Sequence, residues 1–150
     1  MKPTEIHDLP DLVGQEIGVS DWMTIEQDRV NQFADATGDH QWIHVDVERA
    51  NREMGGTIAH GYLTLSLIPG LGQRMLAVRN LARALNYGCD KVRFTNMVKV
   101  GQRVRLRQSL IGAEPKSGGM QIKLLCTVEI EGEERPALVA ENIHVLYPAT

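Results

Sequence analysis

The sequence predicts an α+β fold: one long helix wrapped by an antiparallel sheet. Three observations predict it. From Ala59 into the run YLTLSLIPGLGQRMLAV the chain is apolar nearly all round, as in a helix buried on most sides. After Leu81 the texture changes to period two, the signature of strands with one covered face. The segments joining those strands, EPKSGG at 114–119 and EGEER at 131–135, are hairpin turns by composition.

In chain order, a first short strand covers Glu16 to Thr24. A helix follows, with Thr24 as N-cap and Gln27 closing a capping box. Val30, Phe33, Ala34 and Thr37 form its stripe, and Gly38 stops it. A second helix fits Val45 to Met54, broken by Gly55 and Gly56. Pro69 and Gly70 kink or end the buried helix. Ala84 to Phe94 is a strand loosened by Gly88. Arg103, Arg105 and Arg107 alternate with Val104 and Leu106, and Met120, Ile122, Leu124, Cys126, Val128 and Ile130 alternate with Gln121, Lys123, Thr127 and Glu129. Ala137 to Tyr147 makes the last strand. Open edges on such a sheet favour dimerisation by edge pairing.

At 150 residues, with 43% hydrophobic and 23% charged, the chain reads as one globular domain over 1–150. The net charge of −3 argues against a generic nucleic-acid binder. No stretch is apolar enough for a membrane span, and Met1 to Gly14 has no signal-peptide core. Cys89 and Cys126 form no CxxC pair, which fits a reducing cytoplasm. The charge is uneven. Residues 61–113 hold nine bases and one acid, Asp90. Two readings of that stretch stand: solvated bases paired with acids elsewhere, or a site for a phosphate-bearing ligand.

Two clusters can carry chemistry. The first is Thr37-Gly38-Asp39-His40-Gln41-Trp42-Ile43-His44, at a helix end and loop. If that loop turns tightly, Asp39 and His44 converge, and a carboxylate and an imidazole gripping one water make an acid/base pair. The plainer reading makes Asp39 a turn residue and His44 a cap. The second is Ile58-Ala59-His60-Gly61-Tyr62, at the start of the buried helix. Unpaired N–H groups there, with Gly61 allowing close approach, suit an oxyanion. Equally, Gly61 can serve packing and His60 capping. His40 and His44, four apart, flank a loop and lack a cysteine or HExxH partner, so no metal site is expected.

The stretch Phe33 to His44 resembles the signature of the MaoC-like dehydratases, the (R)-specific enoyl-CoA hydratases. Ile58-Ala59-His60-Gly61 resembles that family's Ala/Val-His-Gly at the head of the central helix. Lys91-Val92-Arg93-Phe94, with Val98 and Gly101, resembles its Arg-Phe strand and turn. The three lie in the family's order, and the resemblance spans about Gly14 to Tyr147. It implies the hot-dog fold, a long helix wrapped by a curved antiparallel sheet, and a homodimer joined edge to edge. It implies Asp39 and His44 as the catalytic pair and Gly61, with His60, at the thioester oxygen. It also implies Gln41, Arg93 and Lys91 as weaker contacts to substrate or coenzyme A. The thioester of coenzyme A or of an acyl carrier protein is then the substrate, with no metal or redox cofactor. The family's Asn-Pro is Gln41-Trp42 here, and its Pro-Val is Met97-Val98. These departures bear on substrate preference and leave the catalytic pair intact. The expected reaction is reversible hydration of a trans-2-enoyl thioester to the (R)-3-hydroxyacyl thioester. A hot-dog acyl-CoA thioesterase and a non-catalytic acyl-thioester binding subunit are the alternatives.

Overall fold

Alternation of apolar and polar residues assembles most of the chain into one sheet. The computed structural model describes residues 2–150. Its strands are β1 (Glu16–Val19), β2 (Met23–Thr24), β3 (Leu81–Phe94), β4 (Arg103–Lys116), β5 (Gly119–Ile130) and β6 (Leu138–Pro148). They pair antiparallel in the order β1-β4-β5-β6-β3, with β2 also on β4. On β5 every even-numbered residue from Met120 to Ile130 is buried. Val104, Leu106 and Leu110 of β4 and Leu138 and Ala140 of β6 join them in the core. Bulges at Leu110/Gly112 and Asn86/Gly88 add the local twist that lets a long sheet curve.

The helices fill the concave face and one end. They are α1 (Gln27–Thr37), α2 (Trp42–Val45), α3 (Val47–Met54), α4 (Gly61–Ser66) and α5 (Ile68–Leu71), after a 3-10 helix at Ile6–Leu12. The α+β class is as expected, but the central helix is short. It parts at Leu67 and ends at Gly72. Pro69 has no N–H to give the Leu65 carbonyl, and its ring crowds that carbonyl. No helix among the described residues is long and apolar enough to cross a membrane.

Other boundaries differ for local reasons. The expected strand Glu16–Thr24 is two strands. Between them the Ser20 hydroxyl takes the Leu106 N–H, and Trp22 lies under the Arg105 guanidinium, 4.4 Å from the ring centroid. Thr24 does not cap α1. The N-cap is Glu26, without a side-chain bond, and Ile25 is drawn into the core, its N–H on the Gln102 carbonyl. The expected helix from Val45 to Met54 starts later, at Val47, because Val45 closes α2 and Asp46 caps α3. Its carboxylate accepts from Arg49 N at 3.1 Å and so starts α3. The first hairpin is tighter than EPKSGG suggests. Ser117 and Gly118, both at positive φ, make the turn, and Lys116 pairs with Gly119.

Three arginines of the basic stretch are neutralised across strands. Arg103 bonds Glu131 through two nitrogens, and Arg105 and Arg107 share the two oxygens of Glu129 at 2.6 and 2.9 Å. Arg107 also reaches Glu16 at 3.0 Å. Burial works against the Glu129 charge, but the hydrogen bonds from Arg107 and Arg105 prevail and hold its carboxyl below the ordinary range.

Burial ranks these contacts by energy. Leu110→Ala opens a cavity at a fully buried site and is expected to cost about 2–5 kcal/mol in urea unfolding. Arg103→Ala, at a solvated pair, is expected to leave the unfolding midpoint nearly unchanged.

Candidate active site

The site is built where the end of α1, the turn of α2 and the head of α4 meet. Gly38 ends α1 in the left-handed region, φ 82, with its N–H on the Ala34 carbonyl. That reversal releases Asp39 into a short loop. Gln41 N donates to Asp39 Oδ1 at 3.3 Å, and one turn later α2 presents His44. Two bonds hold that turn. Gln27 Nε2 donates to the His44 carbonyl at 2.8 Å, while its Oε1 accepts from the Thr57 hydroxyl at 2.6 Å. Gln27 thus ties α1, α2 and the segment before α4. Composition suggested only a capping role for it, and nothing in its spacing distinguishes the two.

His44 is buried, and its Nδ1 lies 2.7 Å from the Ile58 carbonyl. A carbonyl only accepts, so Nδ1 carries the hydrogen and Nε2 is left with a free lone pair. Burial pushes the imidazole pKa below 6.5, partly offset by the Ile58 bond. His60 stacks on it, ring centroids 3.8 Å apart at 22°. One ligating atom each of Asp39, His44 and His60 all lie within 4.8 Å of one another. Two hydrogen bonds to one water at a tetrahedral angle span about 4.6 Å, so one water can bridge two of them. The same three could be considered as a metal set. However, stacked rings carry their lone pairs side by side rather than toward a common point, and two of the four ring nitrogens already face carbonyls.

Gly61 opens α4, and its N–H has no partner among the described residues. A Cβ there would meet Phe94 Cδ1 at 3.0 Å, so only glycine lets that ring close over the helix start. A cavity of about 330 Å³ lies beside it, lined by His44, Gly61, Thr64, Phe94, Asn96 and Arg135 among others. A larger depression of about 580 Å³, between the β1–β2 connection and the end of α5, includes Trp22, Arg74 and Met75. It touches none of the Asp39, His44 and His60 cluster, so the chemistry points to the smaller cavity.

The structure therefore brings Asp39, His44, His60 and Gly61 together. Asp39 is exposed and stands outside the cavity lining, next to His44, and three other expected residues also lie apart from the lining. Gln41 is exposed, and its side chain has no hydrogen bond among the described residues. Arg93 Nη1 folds onto the Val92 carbonyl, and Lys91 reaches Glu141 at 3.9 Å. Trp42 is half-buried and stacks with Arg49, 4.0 Å from its centroid, so it also lies outside the cavity lining. His40 faces outward and bonds Asp35 at 2.9 Å. His60 lies beneath the site rather than on its wall: it is 2% exposed and its Nε2 is 3.0 Å from the Asp39 carbonyl. Arg135, the one charged side chain in the lining, escaped notice in the acidic turn EGEER.

The profile of the MaoC like domain matches residues 8–132. The chain belongs to this family. The MaoC-like chain is 52% identical over 140 residues to 3-hydroxyacyl-thioester dehydratase Z of Mycobacterium tuberculosis, covering 92% of this chain and 93% of that protein. It is 46% identical to Nodulation protein N of Rhizobium leguminosarum bv. viciae, covering 97% and 93%. Kinship at that level makes this MaoC-like chain an enzyme of the hydro-lyase class. Among solved structures, the R-hydratase of Pseudomonas aeruginosa superimposes with a TM-score of 0.74 at 22% identity, covering 92% of this chain and 83% of that one. The (R)-hydratase of A. caviae gives 0.72 at 22%, covering 88% and 94%. These likenesses show the hot-dog fold.

Opposite titrations are expected from two histidines four residues apart. The Asp35 hydrogen bond raises His40 above 6.5, whereas burial lowers His44 below it. Imidazole NMR titration should give midpoints on either side of 6.5 in that order. For His44 the sign carries into stability. Below pH 6.5 the unfolded chain takes the proton first, so its contribution falls as pH drops through the folded value.

Proposed function

We propose that this enzyme hydrates trans-2-enoyl thioesters to (R)-3-hydroxyacyl thioesters and catalyses the reverse dehydration. The carrying observation is the spacing of Asp39 and His44 beside a cavity that contains the free Gly61 N–H. His44 Nε2 and the Asp39 carboxylate grip one water. Its hydroxyl adds to the β-carbon, and its proton is passed to the α-carbon on the same face, so atoms and charge balance. The Gly61 N–H donates to the thioester oxygen as enolate character develops. One such donor contributes about 3–4 kcal/mol in comparable oxyanion sites. The (R) sense rests on the motif from Phe33 to His44 and on the (R)-hydratases of like fold. Nothing in this chemistry requires a metal or redox cofactor.

The thioester carrier is coenzyme A or an acyl carrier protein. Arg135, exposed at the cavity and without an ion-pair partner among the described residues, takes the phosphate-contact role expected of Arg93 and Lys91. A second, mainly apolar cavity of about 180 Å³ under α5, with Pro69, Gly72 and Leu124 in its wall, offers room for an acyl chain. The enzyme acts as a homodimer. β3 is the sheet's open edge, pairs only with β6, and leaves Leu85, Tyr87 and Phe94 exposed.

Crotonyl-CoA hydration, followed by loss of the enoyl absorbance and chiral analysis of the alcohol, tests the reaction. Asp39→Asn and His44→Ala are each expected to lower kcat by roughly 10²–10⁴ while remaining folded. Free thiol release without hydration would point to a thioesterase instead. Arg135→Ala is expected to raise KM severalfold with kcat unchanged, and to weaken the salt dependence of KM. An unchanged KM would remove Arg135 from the substrate contact.

A further inference from the structure

We infer that His60 is a positioning residue that holds both members of the acid–base pair, Asp39 through its main chain and His44 through its ring. This rests on the hydratase reading above.

His60 is 2% exposed and sits immediately before Gly61. Its Nε2, 3.0 Å from the Asp39 carbonyl, must carry the hydrogen, because that oxygen only accepts. The bond spans 21 residues and is the one hydrogen bond among the described residues from the head of α4 to the Asp39 loop. Asp39 otherwise makes two weak local contacts, Asp39 N to the Thr37 hydroxyl at 3.4 Å and Gln41 N to Oδ1 at 3.3 Å. Without His60, no hydrogen bond from beyond its own loop fixes the position of Asp39 beside His44. The second function is steric. The His60 ring lies face to face with His44 on one side and 4.9 Å from the Phe33 ring on the other. His44 is therefore clamped by the Ile58 carbonyl along its edge and by His60 across its face.

The other ring nitrogen argues that this arrangement serves more than folding. His60 Nδ1 is buried and is the one such side-chain polar atom among the described residues without a hydrogen-bond partner. An unpaired buried polar atom is unfavourable, and a phenyl ring of like shape would avoid it. Stability alone therefore favours an apolar ring here. What a phenyl ring lacks is the donor to Asp39.

Two replacements separate the two functions. His60→Phe keeps a ring against His44 but removes the donor. His60→Gln keeps a donor long enough to reach the Asp39 carbonyl but removes the stacked ring. For His60→Phe we expect a melting temperature at or above wild type. Its kcat should fall at least about tenfold, since a misplacement near 1 Å can cost on the order of a hundredfold, and KM should be unchanged. For His60→Gln we expect kcat partly restored relative to His60→Phe. The acid limb of its pH–rate profile should move up toward 6.5, because water then reaches His44. The titratable neighbours of His44 are Asp39 and His60, and Asp39 is common to both variants.

Wild-type kcat in His60→Phe would overturn the inference. So would losses in both variants that merely follow lowered melting temperatures with an unmoved acid limb. Asp39→Asn and His44→Ala are run alongside. If these two lose activity and His60→Phe does not, only the positioning role fails. If these two keep activity, the hydratase reading fails and the positioning role with it.

Discussion

The hydrogen bond from His44 Nδ1 to the Ile58 carbonyl is the contact on which the site depends. It joins two segments fourteen residues apart and decides what each can do. On the His44 side it selects the tautomer, leaving Nε2 as the atom with a free lone pair. On the Ile58 side it fastens the extended segment from Thr57 to Ala59, whose N–H and carbonyl groups bond Ile43, Val98 and Val100. That segment leads directly into Gly61. His44 and the Gly61 N–H are therefore placed by one strip rather than by two independent loops. Gln27 reinforces the strip through the His44 carbonyl and the Thr57 hydroxyl.

Electrostatics divides the molecule into two faces with different tasks. The arginines of β4 are matched to Glu129, Glu131 and Glu16 across strands, where opposite charges stabilise pairing modestly and leave little net field. Three of the nine bases between residues 61 and 113 thus serve the pairing of the sheet. At the cavity the situation is reversed. His44 is uncharged there at neutral pH because burial disfavours its cation, and a single arginine lines the opening.

The remaining buried polar groups follow the same logic of position. Gln108 and Asn142 lie on the core face among aliphatic residues, and each finds a sulfur partner, Cys126 and Cys89 respectively. Burial drives the Cys126 thiol up to about 11, so it behaves as a small apolar residue with a weak acceptor rather than as a nucleophile. The two cysteines remain free thiols, in keeping with their separation in the sequence.

Local patterning was enough to read the sheet. Residues 103–107 and 120–130 alternate with period two, and a strand with one covered face permits few other arrangements. The short motifs from Phe33 to His44 and from Ile58 to Gly61 likewise pick out residues that the fold brings together, because loops after helix ends and helix starts expose backbone and polar side chains. Residue pairing across the fold was not legible. Gln27 reads as a capping residue, His60 as either a cap or an oxyanion contact, and Arg103, Arg105 and Arg107 as bases either paired with distant acids or open to a phosphate. Each has a hydrogen-bond partner 17 to 28 residues away: the His44 carbonyl, the Asp39 carbonyl, and Glu131 and Glu129. Periodicity and turn chemistry are short-range properties carried in neighbouring residues, so sequence suffices for them. The partner of a buried hydrogen bond is chosen by desolvation and geometry once distant segments have packed, so only the tertiary structure could decide it.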